Sequence, residues 1–167
     1  MNEWDFIRDI ARQTKELEEF LENDLLDIME VEGLNHFEDS FEKQGWDDSG
    51  VKDWKARKTV DKRGRDITRY RTNKRGKLGD LNSYGRKNDG RAILTGHSTG
   101  GNKLKNSLKA RQISGGIEFS SDKPYAQRHN EGLNGMPKRQ FMGASKALDK
   151  KIKRKIDKQL NQIFKKK

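Results

Sequence analysis

The chain has 167 residues, of which 30% are hydrophobic and 38% charged, with a formal net charge of +11 and no cysteine. That length fits one domain, but so polar a composition leaves a thin core for the size and predicts that part of the chain is ordered by neighbours. The missing cysteines exclude disulfide scaffolds, thiolate metal sites and cysteine nucleophiles, and the chain shows neither a run of about 18 apolar residues nor a basic start leading into an apolar stretch, so neither a membrane span nor an export signal is expected.

The charge is sorted along the chain. Residues 1–46 carry a net of −10, residues 47–90 a net of +7, residues 91–137 +4 and residues 138–167 +10. Such polarity fits head-to-tail contacts between copies, in which complementary potentials set register and association rate. It fits equally well an acidic N-terminal part neutralised by a basic C-terminal helix of the same chain.

In chain order, Trp4, Ile7, Ala11, Thr14, Leu17 and Leu21 recur at spacings of three and four and predict an amphipathic helix over residues 4–22. A second helix is expected from Asp24, as N-cap, through Met29, Leu34, Phe37 and Phe41, ending before Gly45. Gly33 interrupts its pattern at about 1 kcal/mol relative to alanine, which predicts a kink or a close packing contact. Phe37, Phe41, Trp46 and Trp54 read as an aromatic anchor. Residues 47–92 lose periodicity and are rich in Arg, Lys, Gly and Asn, so a long basic loop or arm is expected, with a short β element over Asp66–Thr72. Ile93-Leu94 reads as a short buried element and Gly96–Gly101 as a loop. Leu104–Gln112 reads as a turn of helix running into a strand, and Ile117–Ser121 as its antiparallel partner across the Ser114-Gly115-Gly116 turn. A short helical turn over Tyr125–His129 follows, then a loop over Gly132–Gly135. Last comes a helix capped by Ser145, with Leu148, Ile152, Ile156, Leu160 and Ile163 on one stripe and Lys and Arg elsewhere. The sum is an α+β fold in a single domain: helices over 1–46, a basic arm over 47–90, and over 91–167 a small antiparallel sheet with the C-terminal helix packed across it.

No motif carries catalysis. Gly96-His97-Ser98-Thr99-Gly100 matches the G-x-S-x-G elbow of hydrolases in letters, but it is followed by Gly101-Asn102 rather than a helix and lies in a chain without βαβ alternation. Gly96 and Gly101 have the spacing of a phosphate loop, yet Asn102 stands where the lysine is required. The three histidines, His36, His97 and His129, have no metal-ligand spacing, and no cofactor is expected.

The second half carries a different signal. Leu94-Thr95-Gly96, Leu104, Ser107-Leu108, Ile117 to Phe119, Tyr125-Ala126, His129, Gly132, Pro137, Arg139 and Phe141 to Ser145 precede a basic amphipathic helix. This order resembles the virion morphogenesis, or tail-completion, family of tailed bacteriophages, over roughly residues 24–46 and 91–164. Gln140 and Met142 depart from the proline and leucine frequent there, and the arm is unusually long. The resemblance implies a non-enzymatic virion protein of the neck or tail, assembled in the host cytoplasm, that forms a ring, hexameric by analogy. Its partners would be other copies and further neck or tail proteins such as the tail tube, connector or terminator, with at most incidental contact with packaged DNA and none with membrane. Candidate contact residues are Trp54, Arg69, Tyr70 and Arg71 within the arm, Tyr125, His129, Arg139 and Phe141 in the motif string, and Lys151, Lys155 and Lys158 on the terminal helix. The alternative is a nucleic-acid-binding protein, supported by a pI near 9.8 and the Arg69-Tyr70-Arg71 pattern and opposed by the acidic N-terminal region.

Overall fold

The computed structural model describes residues 2–65, 67, 80–88, 90–95 and 101–165. Its spine is one helical rod. Helix α1 (Glu3–Glu19) starts at Asn2, whose side chain accepts a hydrogen bond from the Asp5 amide at 2.8 Å, and Glu3 and Asp5 lie in its first turn, where the helix dipole favours carboxylates. A π turn (Phe20–Asp24) then leads directly into α2 (Leu25–Lys43). Asp24, expected as an N-cap, is therefore inside the rod: its backbone is helical and its side chain makes no capping bond. The reason is that the Leu25 amide already donates to the Phe20 carbonyl across the π turn, so no second helix start has to be capped. Phe20 is buried at this point.

Helix α2 stops at Gln44, which takes the left-handed conformation at φ 53°. The Gln44 side chain reaches back to Ile93, donating to its carbonyl at 3.2 Å and accepting from its amide, and so pins a residue 49 positions away. Strands β1 (Gly45–Asp47) and β2 (Val51–Asp53) form a short antiparallel hairpin, with Trp46 opposite Lys52. Residues 47–57, which lost periodicity and a basic, Gly-rich composition assign to the arm, thus begin with ordered body: Trp54 is buried against Phe41, their rings meeting edge to face at 5.5 Å. Further on, the Asp61 amide donates to the Arg65 carbonyl at 2.8 Å and the Ile67 amide to the Thr59 carbonyl at 3.0 Å, closing a tight turn. Of the β element expected over Asp66–Thr72, only Ile67 lies within the described residues. Helix α3 (Ser83–Asn88) and a turn at Ile93-Leu94 complete this region, and Ile93 and Leu94 are half-buried against the core.

A 3-10 turn (Leu104–Ser107) runs into β3 (Leu108–Ile113), which pairs antiparallel with β4 (Gly116–Ser121), Ala110 facing Phe119. Then come α4 (Ala126–Glu131) and α5 (Lys146–Lys165). The protein is α+β, with two separate two-stranded sheets among the described residues.

The core lies at the C-terminal end of α2, in two adjoining clusters. Phe41, Trp54, Leu104, Ala126 and Phe141 form one; Phe37, Trp46 and Leu148 form the other, with Phe119 and Ile152 packed on it. Gly33 is the contact point between rod and sheet. A Cβ there would lie 2.2 Å from Cζ of Phe119, so the ring rests on bare helix backbone, and the expected close contact is what this glycine provides. The sheet packs on α2, whereas α5 packs beside α2 and reaches α1. The expectation of α5 lying across the sheet is corrected accordingly. Its seat beside α2 is set partly by charge: Lys151 meets Asp39 at 3.6 Å and Lys155 meets Glu32 at 2.5 Å, so that α5 runs antiparallel to α2.

Candidate assembly site

The string from Tyr125 to Ser145 is a continuous buttress between α4 and the start of α5. Gly132 ends α4 in the left-handed conformation at φ 78°, and a Cβ there would come within 2.8 Å of the Lys138 amide nitrogen, so glycine is needed both for the turn and for the returning chain. The returning chain is then fixed at three points. The Arg139 amide donates to the His129 carbonyl at 2.7 Å. Trp54 Nε1 donates to the Gln140 carbonyl at 2.7 Å. Oδ1 of Asn130 accepts from the amides of Phe141 and Met142 at 2.9 and 3.0 Å, while its Nδ2 donates to the Met142 carbonyl at 3.0 Å, so one side chain substitutes for a missing strand partner.

Within this frame Phe141 is 0% exposed and packs on Phe41 with ring centroids 5.3 Å apart. Arg139 is only 6% exposed, and its guanidinium donates through Nε and Nη2 to the Lys55 carbonyl at 3.1 and 2.9 Å. Burial and the nearby charge of Arg57 lower its pKa from the ordinary guanidinium value. At the far end Ser145 caps α5. Its hydroxyl donates to the Asp47 carbonyl at 2.7 Å and accepts from the Leu148 amide at 3.2 Å. The Asp48 carboxylate receives the Lys146 amide at 2.8 Å, and the Asp48 carbonyl receives the Ala147 amide at 2.7 Å. The β1–β2 turn therefore holds the N-terminus of α5.

Three candidate contact residues, Trp54, Arg139 and Phe141, are thus internal. They offer no surface to a partner, because each satisfies a partner within the chain: the Gln140 carbonyl, the Lys55 carbonyl and an aromatic core. Tyr125 is exposed and stands edge to face with His129 at 6.0 Å. His129 is half-buried, its Nδ1 has no hydrogen-bond partner, and burial, then the Arg139 charge, lower its pKa from 6.5. Lys151 and Lys155 face α2 carboxylates, and Lys158 is exposed on α5. Arg69, Tyr70 and Arg71 lie outside the described residues, as does the Gly96–Gly100 loop with its Ser98.

Sequence reasoning passed over Asn130, Gln44 and Asp48. An Asn inside a short helix, a Gln just after a helix end and an Asp at a hairpin turn are common surface residues, and only the fold shows what they hold. Asp122 and His129, which follow Ser98 in hydrolase order, are engaged separately: Asp122 pairs with Lys123 at 3.0 Å and Lys109 at 3.6 Å, and Lys123 draws its pKa below the ordinary carboxylate value. Among the described residues no group of three or more His, Asp or Glu side chains could hold a metal ion, and no helix is long and apolar enough to cross a membrane.

No protein-family model, curated protein or solved structure matches the chain.

The geometry has one further asymmetry. While the motif string is absorbed into the body, the first three turns of α1 leave Trp4 73% exposed and Phe6, Ile7 and Ile10 about half exposed. No residue of α1 is buried. At about 100° per residue, these four side chains fall on one half of the helix. The other half is laced by pairs such as Arg12 with Asp9 at 2.6 Å and Glu16 at 2.9 Å, which raise the Arg12 pKa.

Proposed function

We propose that this chain is a structural subunit of a tailed-phage virion, a tail-completion or head-to-tail joining protein that assembles into a ring in the neck or at the tail end and catalyses no reaction. The observation that carries the reading is the use made of the motif string: Tyr125 to Ser145 form a hydrogen-bonded scaffold around Phe141 and Arg139. The small core and the bare apolar stretch of α1 support it, since both suit a subunit completed by its neighbours.

Nucleic-acid binding is the rival reading, and the ion pairs of Lys151 and Lys155 with α2 weaken it by spending part of the basic helix inside the chain. The two are separated by fluorescence anisotropy with a labelled duplex run beside sedimentation velocity over a salt series. An assembly subunit gives a size distribution that shifts with salt and weak duplex binding. Tight binding by a monomer, with log affinity falling at about −0.9 per phosphate contacted against log salt, would overturn the proposal.

A further inference from the structure

Helix α5 carries cations on two sides, and the fold uses only one of them. Lys151 and Lys155 turn toward α2 and meet Asp39 and Glu32. Lys146, Lys150, Lys153, Arg154, Lys158 and Lys165 are exposed, and among the described residues none of these six makes an ion pair. At about 100° per residue they fall within about 140°, on the side of α5 opposite Leu148 and Ile163, with Asp149 and Asp157 as the carboxylates beside them. The rod has an unused stripe of the other sign. Asp24 and, on α2, Asp27, Val31, Asn35, Glu38 and Glu42 are exposed; the five on α2 fall within about 80° and include no cation. Little cancels their charge: the Glu42 side chain is 73% exposed and meets Lys105 only at 3.7 Å, Asp27 accepts from the neutral Gln112 amide at 3.1 Å, and Asp24 and Glu38 make no ion pair among the described residues. Each stripe runs for roughly 28 Å at 1.5 Å per residue.

We propose that the outer stripe of α5 lies along the outer stripe of α2 in a second copy of this chain. The occupant follows from charge, length and a precedent within the fold. The stripes are opposite in sign and match in length, and the chain already joins α5 to α2 through Lys–carboxylate pairs on their inner sides. Within one chain that inner contact turns both stripes outward, so only another copy can bring them together. A nucleic-acid duplex would match α5 alone and leave the acidic stripe of α2 unmet, whereas a second copy answers both. Exposed ion pairs are individually weak, so the joint draws on many aligned charges and is loosened by salt. The contact joins unlike surfaces: every copy gives an α5 and receives one, which closes into a ring when the rotation allows. The joint rests on the ring reading in that its partner is a second copy.

Charge reversal and its rescue test it. Lys150→Glu, Arg154→Glu and Lys158→Glu together reverse the middle of the α5 stripe, Asp24→Lys with Glu38→Lys reverses the α2 stripe, and a third full-length chain carries all five. Among the described residues none of these five side chains makes an ion pair, so each variant should fold, which circular dichroism verifies. In sedimentation velocity at low salt, the wild type should form oligomers and each single-stripe variant should self-associate about tenfold more weakly or worse. The five-fold variant, and a 1:1 mixture of the two single-stripe variants, should regain association, because opposite charges face each other again. If the single-stripe variants assemble like wild type, or the five-fold variant stays as dissociated as they are, the stripes do not meet: the joint is wrong and the ring reading survives. Unchanged self-association with loss of labelled-duplex binding in the α5 variant would give the stripe to nucleic acid instead. If the wild type stays monomeric throughout, both joint and ring fall.

Discussion

The two ends of the α1–α2 rod carry similar numbers of large apolar side chains and treat them oppositely. Around Phe37 and Phe41, the chain returns repeatedly, through Trp46, Trp54, Leu104, Phe141 and Leu148, and Trp54, Phe141 and Leu148 are each held by a hydrogen bond that engages a backbone group. Around Trp4 and Ile7, among the described residues, nothing arrives. Hydrophobic spacing alone does not distinguish these ends, since both are amphipathic helix. What differs is whether another segment has the polar groups to seat itself there. The buried end is a fold, and the bare end is a surface.

If that contrast is right, substitutions at the buried end are costly. Phe141→Ala removes a fully enclosed ring and should lower stability by about 3–5 kcal/mol in urea unfolding. A loss below about 1 kcal/mol would mean that the core is elsewhere. Arg139→Ala leaves the Lys55 carbonyl without its charged donor and should cost about 2–3 kcal/mol, with Arg139→Lys recovering only part because one ammonium cannot reproduce the planar fork. Gly33→Ala gains helix propensity but drives a methyl into the Phe119 ring, and the clash should win by about 1 kcal/mol net. A stabilised variant would show that the sheet yields easily.

Acid sharpens the same contrast. His36 is 1% exposed, packs edge to face on Trp46 at 5.2 Å, and neither ring nitrogen has a hydrogen-bond partner. Burial, then the charge of Lys151, lower its pKa from 6.5; Lys43 acts the same way and Asp47 opposes. Its folded-state pKa lies below the unfolded one, so the unfolded chain binds more protons and stability falls as the pH drops through about 6.5 toward the folded value. His129 adds in the same direction. Thermal midpoints from pH 7.5 to 5 should decline, and His36→Phe should flatten the decline; an unchanged slope would remove His36 as the cause. The smallest effect belongs to the bare end. Trp4→Ala should alter unfolding free energy by no more than about 0.5 kcal/mol, and a loss above 2 kcal/mol would show that the tip is packed after all.

Much of the buried end was legible. Spacings of three and four located the two helical stretches that the rod joins, the glycine at 33 announced a kink or a close approach, of which the structure shows the second, alternation over Ile117–Ser121 gave the hairpin, and Ser145 stood as the cap of α5. Four features were not. The π turn is invisible because Phe20–Asp24 differs in nothing from ordinary helix, and the sequence offered Asp24 as a cap instead. The β1–β2 hairpin has strands of three residues, too short for alternation to register. Trp54 reads both as part of the aromatic anchor and as a contact residue, and the anchor reading is the one the fold takes up; Arg139 reads as a contact residue because charge predicts exposure, whereas here its partner is a carbonyl of the same chain. The packing of α5 beside α2 joins Leu148 and Ile152 on the Phe37 cluster to the pairs of Lys151 with Asp39 and Lys155 with Glu32, pairings that composition permits and that only the fold specifies.

Electron microscopy of the purified full-length chain, imaged at concentrations spanning the range in which it associates, tests the central claim most directly. The account predicts closed rings of a single rotational symmetry. Single subunits at every concentration, or two-fold dimers joined through identical surfaces, would contradict it.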